Sequence, residues 1–183
     1  EWMDGIPGNV GGSLRMNAGA MGRDMIRNLV SVTCLDEDGE IRSHPSGDLN
    51  AQYRSIPDLA HNFVLQAVFE GSPCAREEIE EKLEDARAKR RLSQPSGASA
   101  GCIFKNPEEI PAGKLIDELG LKNACVGDAC VSSVHANFII NRGHARARDI
   151  TILIDMIRKE AMENRGIDLK SEAQVIGDRE PQF

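Results

Sequence analysis

Aromatic residues are scarce in this chain of 183 residues, which holds one Trp, one Tyr and five Phe. A platform that stacks successive bases needs more of them, and a net charge of −7 argues against a nucleic-acid phosphate backbone as the main partner. No apolar run approaches the roughly 18 residues of a membrane span. No secretory signal is visible, and the five cysteines (Cys34, Cys74, Cys102, Cys125 and Cys130) are an odd number. Together these read as reduced thiols in a cytoplasmic protein rather than as a disulfide framework. Cys125, Cys130 and His135 follow no common zinc spacing, and alternating strand positions explain them as well, so no metal site is expected. Neither G-x-G-x-x-G nor G-x-x-x-x-G-K-[ST] occurs, which leaves a Rossmann site and a P-loop without support. Met is also missing from the first position, Glu1, and that start suggests a processed, truncated or excerpted chain.

What is present reads as α+β throughout. Hydrophobic residues make up 40% of the chain, enough for one domain or two small ones. Residues 1–24 carry six glycines and read as an ordered loop close to a ligand, not as a helix. A hairpin follows, with strands over Leu29–Leu35 and Glu40–His44 around the turn Asp36-Glu37-Asp38-Gly39. Phe63–Phe69 is a further strand. Ser72 as N-cap and Pro73 at the first helical position begin a helix that runs to about Leu92. Its i,i+4 pairs Glu78/Lys82 and Asp85/Lys89 and its narrow stripe of Ile79, Leu83 and Ala86 mark a mostly solvated connector. The composition shifts there, which divides the chain into residues 1–71, a connector 72–92, and 93–183. In the last part, Gly113–Leu119 reads as a short helix ended by Gly120. Ala124–Val131 and Ala136–Asn141 read as strands, Ala145–Asn164 as an amphipathic helix on a sheet, and Leu169–Ile176 as a closing strand.

Two stretches carry most of the chemistry. The run Gln94-Pro95-Ser96-Gly97-Ala98-Ser99-Ala100-Gly101-Cys102-Ile103-Phe104-Lys105-Asn106-Pro107 is a small-residue loop ending in a thiol, an ammonium and a carboxamide within five positions. Small residues let a backbone approach a ligand closely. Cys102 is either a reactive group or a small buried thiol; Phe104 reads as core. Upstream, Gly5-Ile6-Pro7-Gly8-Asn9-Val10-Gly11-Gly12 and Met16-Asn17-Ala18-Gly19-Ala20 are either structural turns or a backbone cradle for a pyrophosphate or flavin edge. Arg54 beside Tyr53 is by itself an ordinary solvated charge, Glu172 a strand-edge charge, and His135 a hydrogen-bonded structural histidine.

In their order along the chain, these segments resemble the UDP-N-acetylenolpyruvoylglucosamine reductase family. Gly-Ile-Pro-Gly-x-Val-Gly-Gly and Met-Asn-Ala-Gly-Ala are similar to its flavin-contacting loop, and the Tyr-Arg pair to one at its active site. The run ending Gly101-Cys102-Ile103-Phe104-Lys105-Asn106-Pro107 resembles its catalytic segment. Ser132-Ser133-Val134-His135-Ala136-Asn137-Phe138 and Leu169-Lys170-Ser171-Glu172-Ala173-Gln174-Val175-Ile176-Gly177 resemble two further strands. The resemblance implies a bacterial cytoplasmic enzyme of peptidoglycan synthesis. With FAD and NADPH it would reduce the enolpyruvyl ether of UDP-N-acetylglucosamine to UDP-N-acetylmuramate. It implies Cys102, Arg54 and Glu172 as catalytic residues. Gly5, Ile6, Pro7, Gly8, Asn9, Val10, Gly11, Gly12, Asn17, Ala18 and Gly19 would face the flavin, and Tyr53, Lys105, Asn106 and His135 the substrate. The family usually has serine where this chain has Cys102; an unperturbed thiol, with a pKa of about 8.5, is the stronger acid and a competent proton donor.

The resemblance also implies that residues 1–71 end a flavin-binding domain whose N-terminal part is missing, while 93–183 form a small substrate-binding domain. Two alternatives remain: a UDP-sugar-binding portion unable to hold FAD alone, and a related flavin oxidoreductase with another substrate.

Overall fold

The computed structural model describes residues 1–177; the last six positions of the expected 93–183 domain lie outside them. The architecture is α+β and divides into two compact units, Glu1–Arg90 and Arg91–Phe183.

The first unit opens with a short helix, α1 (Val10–Arg15), where the sequence reads as a helix-free loop. Glycine is a poor helix former, but Asn9 caps this turn by accepting from the Gly12 N–H at 2.7 Å. Gly11 lies close to β5, since a Cβ there would stand in tight contact at 3.3 Å from the Val64 Cβ. A two-residue hairpin joins β1 (Gly19–Ala20) to β2 (Arg23–Asp24). Both of its central residues, Met21 and Gly22, have positive φ, as a primed turn demands. The main sheet is antiparallel in the order β4-β3-β5, from β3 (Leu29–Leu35), β4 (Ile41–Pro45) and β5 (Phe63–Phe69). Asp36 shapes the β3–β4 turn by accepting from the N–H groups of Asp38 and Glu40. The apolar side of the sheet, with Val32 and Cys34, closes on Trp2, Leu14, Met25, Ile56 and Leu59. Helix α2 (Arg76–Ser93) starts three residues later than Ser72-Pro73 implies, and Ala86 is its one buried residue.

The second unit is a four-stranded antiparallel sheet in the order β6-β9-β8-β7: β6 (Ala98–Cys102), β7 (Cys125–Val126), β8 (Ala129–Val131) and β9 (Phe138–Asn141). Helices α3 (Ala112–Glu118) and α4 (Ala147–Arg165) cover it, burying Leu115, Ile116, Leu153, Ile154 and Ile157 against Val131 and Ile139. Gly166 ends α4 in the left-handed conformation.

Four further expectations differ from the structure. The small-residue run is a strand over Ala98–Cys102, because its backbone pairs with β9 although its side chains are small. The span 124–131 is a hairpin folded at Gly127, not one strand. Residues 169–176 form no strand; only Ser171 bridges, to Phe104. There the Ser171 hydroxyl turns back onto the Ala173 carbonyl, and the Glu172 and Ala173 N–H groups share the Ile103 carbonyl, which ends the ladder. Finally, Cys125 and Cys130 form a disulfide across β7 and β8, where they are directly paired. The reading of all five thiols as reduced does not hold for these two. Among the described residues no helix is long and apolar enough to cross a membrane.

Candidate functional site

In the second unit the backbone itself aims Cys102. Between Ser99 and Cys102 three steps of β6 oppose two of β9, so the strand carries a bulge. Gly101, at φ +79, takes the left-handed conformation that such a bulge requires. A bulge of this kind bends its strand and re-aims the residues that follow it, and Cys102 is the last residue of β6. Cys102 is half-buried and outside any disulfide. The next two residues, Ile103 and Phe104, are buried in the core and anchor the strand end.

Glu172 is brought to the same strand end. Its N–H donates to the Ile103 carbonyl at 2.7 Å, and the Lys105 N–H donates to the Lys170 carbonyl at 2.9 Å. Ile103 through Lys105 and Lys170 through Ala173 thus run side by side, and half-buried Glu172 is fixed beside the residue that follows Cys102. Lys105 lies on this segment as well. Asn106 is partly committed elsewhere, because its Oδ1 accepts from the Ala112 N–H at 3.0 Å and so ties the loop 107–111 to the start of α3.

Asn137 was not among the residues singled out from sequence, yet it holds the segment in place. It is buried, its Oδ1 accepts from the Phe104 N–H at 2.9 Å, and its Nδ2 donates to the Phe104 carbonyl at 2.8 Å. Its own carbonyl accepts from the Ile103 N–H at 2.9 Å. A carboxamide satisfied at both ends in a core is a rigid strut. The readable signal was an amide embedded in the apolar run Ala136-Asn137-Phe138-Ile139-Ile140, where only a partnered polar group survives.

Through Asn137 the histidine loop joins the same network. The Asn137 N–H donates to His135 Nδ1 at 3.2 Å, which leaves Nε2 to carry the proton of the neutral ring. The Ser132 hydroxyl accepts from the N–H groups of Val134 and His135, and the His135 ring meets Phe138 edge to face at 5.0 Å. Burial holds the His135 imidazole below the usual histidine range, against a backbone hydrogen bond that raises it and with Lys122 nearby lowering it further. Gly113 of α3 is where the ring packs, since a Cβ at that position would stand 2.7 Å from His135 Cε1.

The first unit gathers the other sequence-derived residues. Arg54 sits at the corner of a tight turn closed by paired bonds between Gln52 and Ser55. Its φ of +58 is rare for a residue with a long side chain. Such a conformation persists only where the surroundings enforce it. The guanidinium donates from Nη2 to the Gly19 carbonyl at 3.1 Å and lies 5.0 Å from the Tyr53 ring centre. Gly19 has no room for a side chain, because a Cβ would stand 2.5 Å from the Arg23 carbonyl oxygen and 3.0 Å from Arg54 Nη1. Asn17 lies on the expected flavin loop but is buried and spends its carboxamide inside the protein. Its Nδ2 donates to the Gln52 carbonyl and its Oδ1 accepts from the Ile26 N–H. Asn17 therefore braces the loop against the Arg54 turn. The stretch Gly5–Gly12 is mostly exposed, with Gly8 at φ +102 and open space where a Cβ would project.

Comparison with known proteins bears on both units. The family profile described as UDP-N-acetylenolpyruvoylglucosamine reductase, C-terminal domain, matches residues 93–176. A UDP-N-acetylenolpyruvoylglucosamine reductase from Syntrophus aciditrophicus is 40% identical over 179 residues, which is 97% of this chain and 57% of that protein. One from Bacillus licheniformis is 40% identical over 182 residues, covering 98% of this chain and 99% of the relative. The crystal structure of the UDP-N-acetylenolpyruvylglucosamine reductase from Thermus caldophilus superposes with a TM-score of 0.83 at 35% identity, over 94% of this chain and 62% of that one. The chain thus spans under three fifths of the Syntrophus relative and nearly all of the Bacillus one.

Proposed function

We propose, because this chain belongs to the UDP-N-acetylenolpyruvoylglucosamine reductase family, that it serves the reduction of UDP-N-acetylglucosamine enolpyruvate to UDP-N-acetylmuramate in peptidoglycan synthesis. The observation that carries the reading is Cys102 at the end of a bulged strand, with Glu172 hydrogen-bonded to the following residue. Reduction of an enolpyruvyl ether adds hydride to one carbon of the double bond and leaves its neighbour carbanion-like. The charge spreads onto the adjacent carboxylate, and the carbon then needs a proton. Cys102 gives that proton from its Sγ and is left as a thiolate to be reprotonated from solvent. Glu172 supports the protonation or steadies the intermediate. Arg54 takes the carboxylate in its guanidinium fork, a geometry that matches two carboxylate oxygens. Lys105 is the cation for the substrate's anionic groups, and Asn106, Tyr53 and His135 line the substrate.

The residues of Gly5–Gly12 fit a flavin. Gly8 offers an open face, and the N–H groups of Val10 and Gly11 lie in the first turn of α1, ahead of any intrahelical bond. FAD would lie against Gly5, Ile6, Pro7, Gly8, Asn9, Val10, Gly11, Gly12, Ala18 and Gly19, with Asn17 bracing them from behind. When bound, it supplies the hydride equivalent that NADPH provides. The test is calorimetric titration with the enolpyruvyl UDP-sugar alongside flavin-dependent NADPH oxidation. Saturable binding with oxidation that depends on that sugar is the expected result. Flavin chemistry on other acceptors without response to it points to another substrate and overturns the assignment.

A further inference from the structure

Helix α2 is solvated along most of its length, yet its last two turns grip the segment that leads into the glycine-rich loop. Arg87 donates from Nε to Asp4 Oδ2 at 2.7 Å. Arg90, three residues on and so on the same face, donates from Nη2 to the Trp2 carbonyl at 3.1 Å. Trp2 is buried in the first core, and the bonds from the Asp4 N–H to the Glu1 carbonyl and from the Ile6 N–H to the Met3 carbonyl wind this segment tightly. Gly5 completes the winding at φ +77, and a Cβ on it would stand 3.2 Å from Arg90 Cδ and 3.6 Å from Nε. The stem of Arg90 therefore lies in tight contact with the position a Cβ at Gly5 would take, and the positive φ strains any side chain there. Arg90 Nε is buried without a hydrogen-bond partner among the described residues, a costly state for a guanidinium donor. An exposed ion pair such as Arg87–Asp4 is ordinary surface chemistry; a partly buried fork packed on a left-handed glycine is not.

We propose that Arg90 is a positioning residue for the cofactor loop. It fixes the Trp2–Gly5 turn from which Ile6–Gly12 departs, and the Arg87–Asp4 pair is a lesser brace. The connector helix thereby presets the loop's backbone donors before any ligand arrives, which lowers the ordering cost of binding. The inference rests on the reading of Gly5–Gly12 as the flavin-facing loop.

The 183-residue chain and its variants Arg90→Ala, Arg90→Lys and Gly5→Ala are compared by amide hydrogen exchange over residues 2–12 without flavin, by thermal melting, and by fluorescence titration with FAD. Arg90→Ala should speed exchange over residues 3–12 about tenfold while the core amides keep their protection. Its FAD dissociation constant should rise about tenfold, the equivalent of about 1.4 kcal/mol. Arg90→Lys keeps the stem without the fork and should fall between the two, while Gly5→Ala should follow Arg90→Ala. Exchange equal to wild type, a loss of protection spread over the whole core, or faster loop exchange with unaltered FAD affinity each overturns the proposal. Local loosening in Arg90→Ala together with no FAD binding by the wild type leaves the clamp standing and favours the alternative of a portion unable to hold FAD alone.

Discussion

Cys102 follows Gly101 on a strand that the bulge has turned, and Ile103 behind it is locked by bonds to both Asn137 and Glu172. Those bonds are made by backbone groups and by Asn137, not by the thiol, so the effect of substitution is expected on the chemistry. With FAD reduced beforehand by NADPH, Cys102→Ala should leave that first reduction intact and slow reoxidation by the UDP-sugar by roughly 10²–10⁴-fold, the usual weight of a general acid. Cys102→Ser should keep much of the rate. Reoxidation as fast in the Ala variant as in wild type, measured by stopped-flow absorbance, removes the thiol from the mechanism. His135 offers a separate residue-scale test. Burial, its main perturbation, lowers its folded pKa below the ordinary value of 6.5. On acidification the unfolded chain therefore takes up the proton first. The contribution of the neutral ring is complete above about pH 6.5 and is lost as pH falls through the lower folded value. Urea unfolding at about pH 7.5 and about pH 5 should show a larger acid loss in wild type than in His135→Gln. Equal losses in the two proteins mean that this ring is not a source of the pH dependence.

Helix α3 shows how an element can hide its purpose. Gly113 sits in its first turn, where helix propensity alone says that Ala should stabilise by up to about 1 kcal/mol. The His135 ring fills the space a methyl would need, and it is held by the Asn137 N–H and the Phe138 edge. Gly113→Ala should therefore destabilise, by roughly 1–3 kcal/mol as overpacking does. A Tm at or above that of wild type contradicts the packing argument. The elements with strong periodicity were legible: β3 and β5 lie where the apolar runs put them, and α3 and α4 begin and end within about two residues of their expected limits. The strand at Ala98–Cys102 was not, because Ala, Ser and Gly carry no β signal and its pairing comes from β9 about forty residues away. The helix at Val10–Arg15 was hidden by its two glycines, and its warrant, the Asn9 cap together with closeness to Val64, is a tertiary fact. At the site, the family resemblance, and not residue type alone, pointed to Cys102 and Glu172. The struts Asn137 and Arg90 could only be ranked once their partners were known.

At the scale of the whole molecule, each unit holds its own core. Trp2, Leu14, Val32, Ile56 and Leu59 form one cluster, and Phe104, Leu115, Val131, Leu153 and Ile157 belong to the other. The second cluster is closed without any residue before Ile103, and its sheet begins at Ala98. A core of that kind under two helices is the ordinary requirement for independent folding of a domain near 90 residues. Residues 91–183 expressed alone should therefore unfold in one cooperative transition, with dispersed amide resonances and helical circular dichroism retained. Cys102, Lys105, Glu172 and His135 all lie in this part. If the proposed substrate contacts are right, this part should also bind the enolpyruvyl UDP-sugar without flavin, and weakly, since Arg54 and Tyr53 are absent from it. Weak binding lost on Lys105→Ala is the outcome that supports the assignment, since a single point charge on phosphate is the contact most easily removed there. A non-cooperative melt shows that the second cluster needs the first unit. A cooperative melt with no binding by calorimetry shows instead that the substrate contacts lie outside residues 91–183, and takes Lys105 and His135 off the substrate list.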